Sequence, residues 1–273
     1  MQFATVLLLF FVSRAALADS AFIIPKASPL LRSASVLITD GNGNMIYGKN
    51  TAQVMPIASI TKLMTAMVVL DANLDMDEKI TISSADRDTL RLTGSRLAYG
   101  AVLSRREALQ LALMSSENRA ASALGRTFPG GMAAFVLAMN DKAAELGLKD
   151  SHFADPAGLR AENVSTAADL ARLLTAASGY PGIRKATTQL SMDVYPYPKR
   201  GPLHYVNTNR LLKNETWEIG LSKTGYINEA GRCLVMQANI DGKPVFIVLL
   251  NSFGKLTPFG DSNRLRQWLL SSS

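Results

Sequence analysis

The sequence predicts an α+β fold (mixed α/β): an antiparallel sheet flanked by helices, with a helical lobe inserted between its strands. Three observations carry the prediction. Strand-type segments around a Gly/Asn turn begin near Ser35, helix-type periodicity with recognisable caps fills about residues 83–178, and strand-type segments return between Gln189 and Phe253. The sheet is therefore expected to be assembled from both ends of the chain, with helices packed on it. The 273 residues are 48% hydrophobic and 19% charged, with 11 Pro and 19 Gly, which suits one buried core and excludes a disordered chain. No internal repeat, low-complexity tract or Pro/Gly-rich linker divides residues 19–273, so they read as one unit whose inserted lobe spans about 83–178.

Taken in order, MQFATVLLLFFVSRAALADS holds about ten apolar residues, then Ala-Leu-Ala before Asp19, the small-x-small pattern of a signal-peptidase site. A signal peptide over residues 1–18 and an exported protein are expected, although no Lys or Arg precedes the apolar core. The apolar run is shorter than the roughly 18 residues of a membrane span, and no stable transmembrane anchor is expected. Loss of Arg14 with this leader takes the formal charge from +7 to +6, which suits anionic surroundings. Basic residues are scattered without interleaved aromatics, so nucleic acid is not a predicted partner.

SASVLITDGNGNMIYGKN reads as a hairpin from about Ser35 to Gly48, followed by an apolar helix over ASITKLMTAMVVL. LSRREALQLALM opens with a capping box, Ser104 to Glu107; GGMAAFVLAMNDKAAELG ends on Gly147 as a C-cap; STAADLARLLTAAS begins with capping residues. The later strand-type segments are QLSMDVYPY, LHYVNTNRLL, WEIGLSKTGYI, GRCLVMQANI and PVFIVLLNSF, the last two joined by the turn Asp-Gly-Lys. Cys233, flanked by apolar residues, is expected to be a buried strand thiol.

The chemistry begins with Ser59-x-x-Lys62. At i and i+3 on a helix the two side chains share a face, where apolar neighbours can lower the lysine pKa and let it deprotonate the serine. By composition such a pair occurs about once in a chain like this, and Ser252-x-x-Lys255 is a second one, so a capping serine with an unrelated lysine is the ordinary reading of either alone. Two further motifs change the balance. Ser116-x-Asn118 follows a helix, and Lys223-Thr224-Gly225, expected only about 0.05 times by composition, lies in a strand-type segment. The three motifs in this order are the signature of penicillin-recognising serine enzymes.

On these motifs, together with DSHFADPAGL, STAADLARL and NTNRLL, residues 19–273 resemble the low-molecular-mass penicillin-binding D,D-peptidases, the D-alanyl-D-alanine carboxypeptidase/endopeptidase family. The likeness is strongest to its endopeptidase type, through SSENRAAS, LSKTGYINEAGRCLVMQ and FGDSNRLRQWL. The resemblance implies a β-lactamase/penicillin-binding transpeptidase-like fold and a periplasmic enzyme that hydrolyses D-alanyl-diaminopimelate cross-links in peptidoglycan. It implies Ser59 as acyl-ester nucleophile, Lys62 as general base, Ser116 as proton relay and Asn118 as a substrate-amide ligand that also orients Lys62. It implies that Lys223 and Thr224 face a substrate carboxylate, that Gly225 lets substrate lie along the strand edge, and that the Tyr226 and Ser59 amides form the oxyanion hole. Stem peptides are then the substrates and β-lactams covalent inhibitors.

Other readings are weaker. His152 and His204 stand apart from any Gly-x-Ser-x-Gly elbow and read as structural; no His-Glu-x-x-His, Cys-x-x-Cys or phosphate-loop motif is present, and no metal or cofactor is expected. A class A β-lactamase would need a deacylating Glu in a Glu-x-x-Leu-Asn pattern, which is absent. A carboxypeptidase trimming terminal D-alanine and a non-catalytic peptidoglycan or penicillin binder are the remaining alternatives.

Overall fold

The computed structural model describes residues 22–271; the expected leader, 1–18, lies outside them. The chain opens with β1 (Ser33–Asp40) and β2 (Met45–Lys49), the predicted hairpin. Asp40 holds its turn by accepting from the Asn42 and Asn44 amides at 2.9 and 2.8 Å. After a short strand, β3 (Met55–Pro56), a 3-10 turn over Ala58–Thr61 leads into α1 (Lys62–Asp71). Ser59 thus lies in the tight turn ahead of the α-helix rather than within it. Positive φ at Ala58 (49°) and the i→i+3 bond from Ile60 N to Ile57 O set that turn. Helix α1 is buried from Lys62 to Val69, the pattern of a central helix covered on all sides.

The stretch that follows is less uniformly helical than its sequence suggests. β4 (Lys79–Thr81) and β5 (Val102–Ser104) pair across an irregular segment, then come α2 (Arg105–Met114), α3 (Asn118–Arg126) and α4 (Gly131–Glu145). The Ser104/Glu107 capping box is formed. At the end of α4, Gly147 (φ 67°) makes a Schellman closure, with Leu148 N bonded to Ala143 O at 2.9 Å and Gly147 N to Ala144 O at 3.0 Å. A short β6 (Val164–Ser165) pairs with β3 and precedes α5 (Ala167–Ser178), capped by Thr166, and α6 (Pro181–Thr188). Helix α5, the last of the 83–178 stretch, packs on the sheet itself.

β7 (Ser191–Val194) and β8 (Leu203–Val206) form a ribbon of their own instead of joining the sheet. Pro196, Pro198 and Pro202 between them cannot donate to a ladder, which confines this segment to a short excursion. NTNRLL is likewise a 3-10 turn over Arg210–Lys213, capped by Asn209. The chain then returns as β9 (Glu218–Ile227), β10 (Gly231–Ile240) and β11 (Lys243–Ser252), and ends with α7 (Thr257–Leu270).

The main sheet has the order β2-β1-β11-β10-β9, antiparallel throughout. The opening strand therefore pairs with the last one, Ser35 opposite Leu250 and Ile38 opposite Ile247. Period-two alternation divides the sheet's side chains: Val36, Ile38, Met236 and Ile247 join Leu265 and Leu269 of α7, while Leu37, Val235 and Val248 join the core built on α1 and α5. β9 is left as an edge, and it carries Lys223-Thr224-Gly225.

Candidate active site

Three segments meet at the β9 edge. The 3-10 turn brings Ser59, the α2–α3 junction brings Ser116 and Asn118, and β9 brings Thr224, Gly225 and Tyr226 to the wall of one cleft of about 420 Å³. Lys62 and Lys223 lie beneath that wall, 0% and 1% exposed. The turn is pressed into place by close backbone approaches. A Cβ on Gly225 would meet Ile57 O at 2.9 Å and Ser59 N at 3.2 Å, and one on Gly158 (φ 75°) would meet Ala58 O at 2.0 Å. Only glycine fits either position.

The Lys62 ammonium position has three neighbours: Ser59 Oγ at 2.8 Å, Asn118 Oδ1 at 2.8 Å and Ala157 O at 2.6 Å. Burial pushes the Lys62 pKa down from 10.5 to about 7, against the opposing charges of Asp155 and Glu117. The count of partners matters. A neutral amine has two N–H groups, which suffice for the two acceptor-only partners, Asn118 Oδ1 and Ala157 O. Its lone pair is then left for the Ser59 hydroxyl, so the neutral form is built to receive that proton.

Ser116 sits in the left-handed region (φ 61°), uncommon for a residue with a Cβ, and such strain gathers at functional sites. Its Oγ accepts from Lys223 Nζ at 2.9 Å, and the same ammonium donates to Thr224 O at 2.9 Å. Burial, with the nearby Lys62 charge, holds the Lys223 pKa well below its ordinary value. The lysine of the triplet is therefore turned toward Ser116. Thr224 donates to Thr208 Oγ1 at 2.7 Å, and Asn118 Nδ2 donates to Thr93 Oγ1 at 3.0 Å.

Sequence reasoning missed the loop that anchors this site. Asp155 Oδ1 accepts from the Ala157 and Gly158 amides, each at 2.7 Å, and Oδ2 from Arg160 N at 2.8 Å and Asn163 Nδ2 at 2.7 Å. The carboxylate fixes the Ala157 carbonyl that Lys62 needs. Its sequence signal was Asp-Pro-x-Gly, a type I turn signature within the quoted DSHFADPAGL. Thr208, Arg210, Arg232 and Lys255, which also line the cleft, had no such signal.

Of the other candidates, Cys233 and Lys255 reach the cleft wall, while His152 and His204 do not line it. Ser252 Oγ is buried against Ser33 Oγ at 2.7 Å while Lys255 is exposed, so the second Ser-x-x-Lys is no pair. Cys233 is a buried β10 thiol whose pKa burial raises to about 11. His204 pairs with Asp193 at 2.8 Å on the exposed β7–β8 ribbon, and His152 bridges to Val164. Among the described residues no three His, Cys, Asp or Glu side chains gather as metal ligands, and no helix is long and apolar enough to cross a membrane. A larger cavity, about 560 Å³, runs behind Ala157 beside the Arg91–Glu229 ion pair and contains neither Ser59 nor Ser116.

Comparison with known proteins follows this geometry. A family model described as D-alanyl-D-alanine carboxypeptidase matches residues 24–254. The chain is 49% identical to a D-alanyl-D-alanine endopeptidase of Pseudomonas aeruginosa over 96% of its own length and 86% of that protein's. It is 45% identical to a D-alanyl-D-alanine endopeptidase of Escherichia coli over 93% and 82% of the two chains. Among solved structures, a Streptomyces DD-transpeptidase superposes with a TM-score of 0.83 at 27% identity, covering 90% of this chain and 99% of that one.

Proposed function

The chain belongs to the D-alanyl-D-alanine carboxypeptidase family, and on that premise we propose that it is a serine D,D-endopeptidase. It hydrolyses D-alanyl-diaminopimelate cross-links of peptidoglycan in the periplasm through an acyl-enzyme on Ser59. The observation that carries this reading is the buried Lys62 amine, 2.8 Å from Ser59 Oγ with a pKa near 7. Proton transfer from Ser59 to Lys62 accompanies attack of Oγ on the D-alanine carbonyl. The amides of Ser59 and Tyr226 receive the oxyanion, a contribution of about 3–4 kcal/mol to the barrier where such a donor has been removed. Ser116, bonded to Lys223, passes a proton to the departing amine, and Asn118 holds the substrate amide while orienting Lys62. Water then attacks the ester and restores Ser59. A β-lactam acylates the same oxygen, and its ring-opened ester is released slowly.

Endopeptidase rather than carboxypeptidase action is supported by the two relatives of that name at 49% and 45% identity. Carboxypeptidase action is the second reading, supported by the family description. Purified protein should be given a cross-linked muropeptide dimer and a pentapeptide monomer, with products followed by mass spectrometry. We expect conversion of dimer to monomers, and loss of it by about four orders of magnitude or more in Ser59→Ala. Release of terminal D-alanine alone would establish the second reading, and no Ser59-dependent product from either substrate would leave a binder.

A further inference from the structure

The cleft is walled by cations that the chemistry above does not use. Arg210 is the first residue of the Asn209-capped turn, Arg232 the second of β10, and Lys255 lies in the β11–α7 connection; all three line the same cleft as Ser59 and Thr224. No Asp or Glu lines it, and none of the three cations forms an ion pair with a described residue. Arg210 and Lys255 are exposed; Arg232 is half-buried, its guanidinium 3.6 Å over the ring of Tyr226. Three cations without a carboxylate partner, contributed to one cleft by separate segments, are suited to binding an anion.

Their position selects the anion. Thr224, the residue expected to meet the carboxylate beside the scissile bond, is bonded to Thr208, two positions before Arg210. Arg232 stands opposite Tyr226, the residue after the Lys-Thr-Gly triplet, in the β9–β10 register. The cations therefore surround the part of the cleft that receives the departing half of the substrate. Lys223, buried beneath the wall, is tied to Ser116 Oγ and Thr224 O. A terminal D-alanine brings one carboxylate here. The departing half of a cross-link is a diaminopimelate residue attached to its own stem peptide, and brings several.

We propose that Arg210, Arg232 and Lys255 form a subsite for the carboxylates of the departing stem peptide, and that this subsite sets the preference for cross-linked over monomeric substrates. The inference rests on the endopeptidase reading and adds the residues that make it selective. Guanidinium groups suit the task because they remain charged and grip carboxylates with two parallel bonds.

The test compares kcat/KM for the muropeptide dimer and the pentapeptide monomer in wild type and in the double variant Arg210→Gln/Lys255→Gln. Arg232→Gln is measured separately because it also removes the stack on Tyr226. The thermal midpoint and the far-ultraviolet circular dichroism spectrum report on folding. The double variant should lose at least tenfold more on the dimer than on the monomer. That gap should close for a dimer whose departing-half carboxylates are amidated. Equal loss on both substrates, or no change in their ratio, would overturn the subsite while leaving the endopeptidase intact. A wild-type enzyme that ignores the dimer would overturn both.

Discussion

At the scale of single residues, one lysine has opposite effects on activity and stability. With Lys62 as the proposed base, only its neutral amine can accept the Ser59 proton, so kcat/KM should rise with pH and level off above a midpoint near 7, read from a pH–rate profile. The same depressed pKa sets the sign for stability. Between about 7 and 10.5 the unfolded chain binds this proton and the folded one does not, so wild-type stability climbs with pH across that window. Below it the full cost of burying the charge remains, on the order of 5 kcal/mol. Lys62→Met should therefore abolish turnover yet stabilise the fold at pH 6. The net gain is about 1–3 kcal/mol after the bonds to Asn118 and Ala157 are lost, and it should shrink by pH 9 in urea titrations. The Ser-x-x-Lys spacing is visible in the sequence, but the depth of Lys62 is not, because it depends on helices that arrive from residues far along the chain.

At the scale of elements, turns position this chemistry as much as helices do. The Asp155 loop holds the Ala157 carbonyl with one carboxylate, and that carboxylate also favours the charged form of Lys62. Asp155→Asn should consequently move the activity midpoint to lower pH, the opposite of what a loosened, wetter site would do, and a pH–rate profile of the variant distinguishes the two. The hairpin, the Ser104 capping box and the Gly147 closure were legible because each is a local contest between a few residues and their own backbone. The fate of QLSMDVYPY and LHYVNTNRLL was not. Their alternation is that of a sheet strand, yet whether such a segment joins the main sheet or folds on itself depends on partners elsewhere, and here the prolines between them decided it. Ser59 in a 3-10 turn rather than a helix has the same origin, since Gly158 and Gly225 impose that geometry from outside.

At the scale of the whole molecule, a buried carboxylate joins the first strand to the last helix. Asp261, fully buried, accepts from Ser33 N at 2.7 Å, from Ser33 Oγ at 2.5 Å and from Arg32 N at 3.1 Å, and pairs with Arg264. Burial alone would raise its pKa, but the bonds from Ser33, Arg264 and the two amides outweigh it and hold it below 3.8. Its contribution is present above the unfolded value and is lost as pH falls through the folded one. Asp261→Asn should cost about 3 kcal/mol at neutral pH and flatten the stability loss below pH 4, measured by urea midpoints across pH. The clasp spans 228 positions of the chain, and β1 completes its ladder only against β11. Contacts of such range form late and slowly. The serine, by contrast, is translated early, long before the β9 edge that completes its cleft. A chain still being synthesised therefore carries its proposed nucleophile without a place to bind wall peptide, and the capacity to cut would switch on only when β11 closes the sheet against β1.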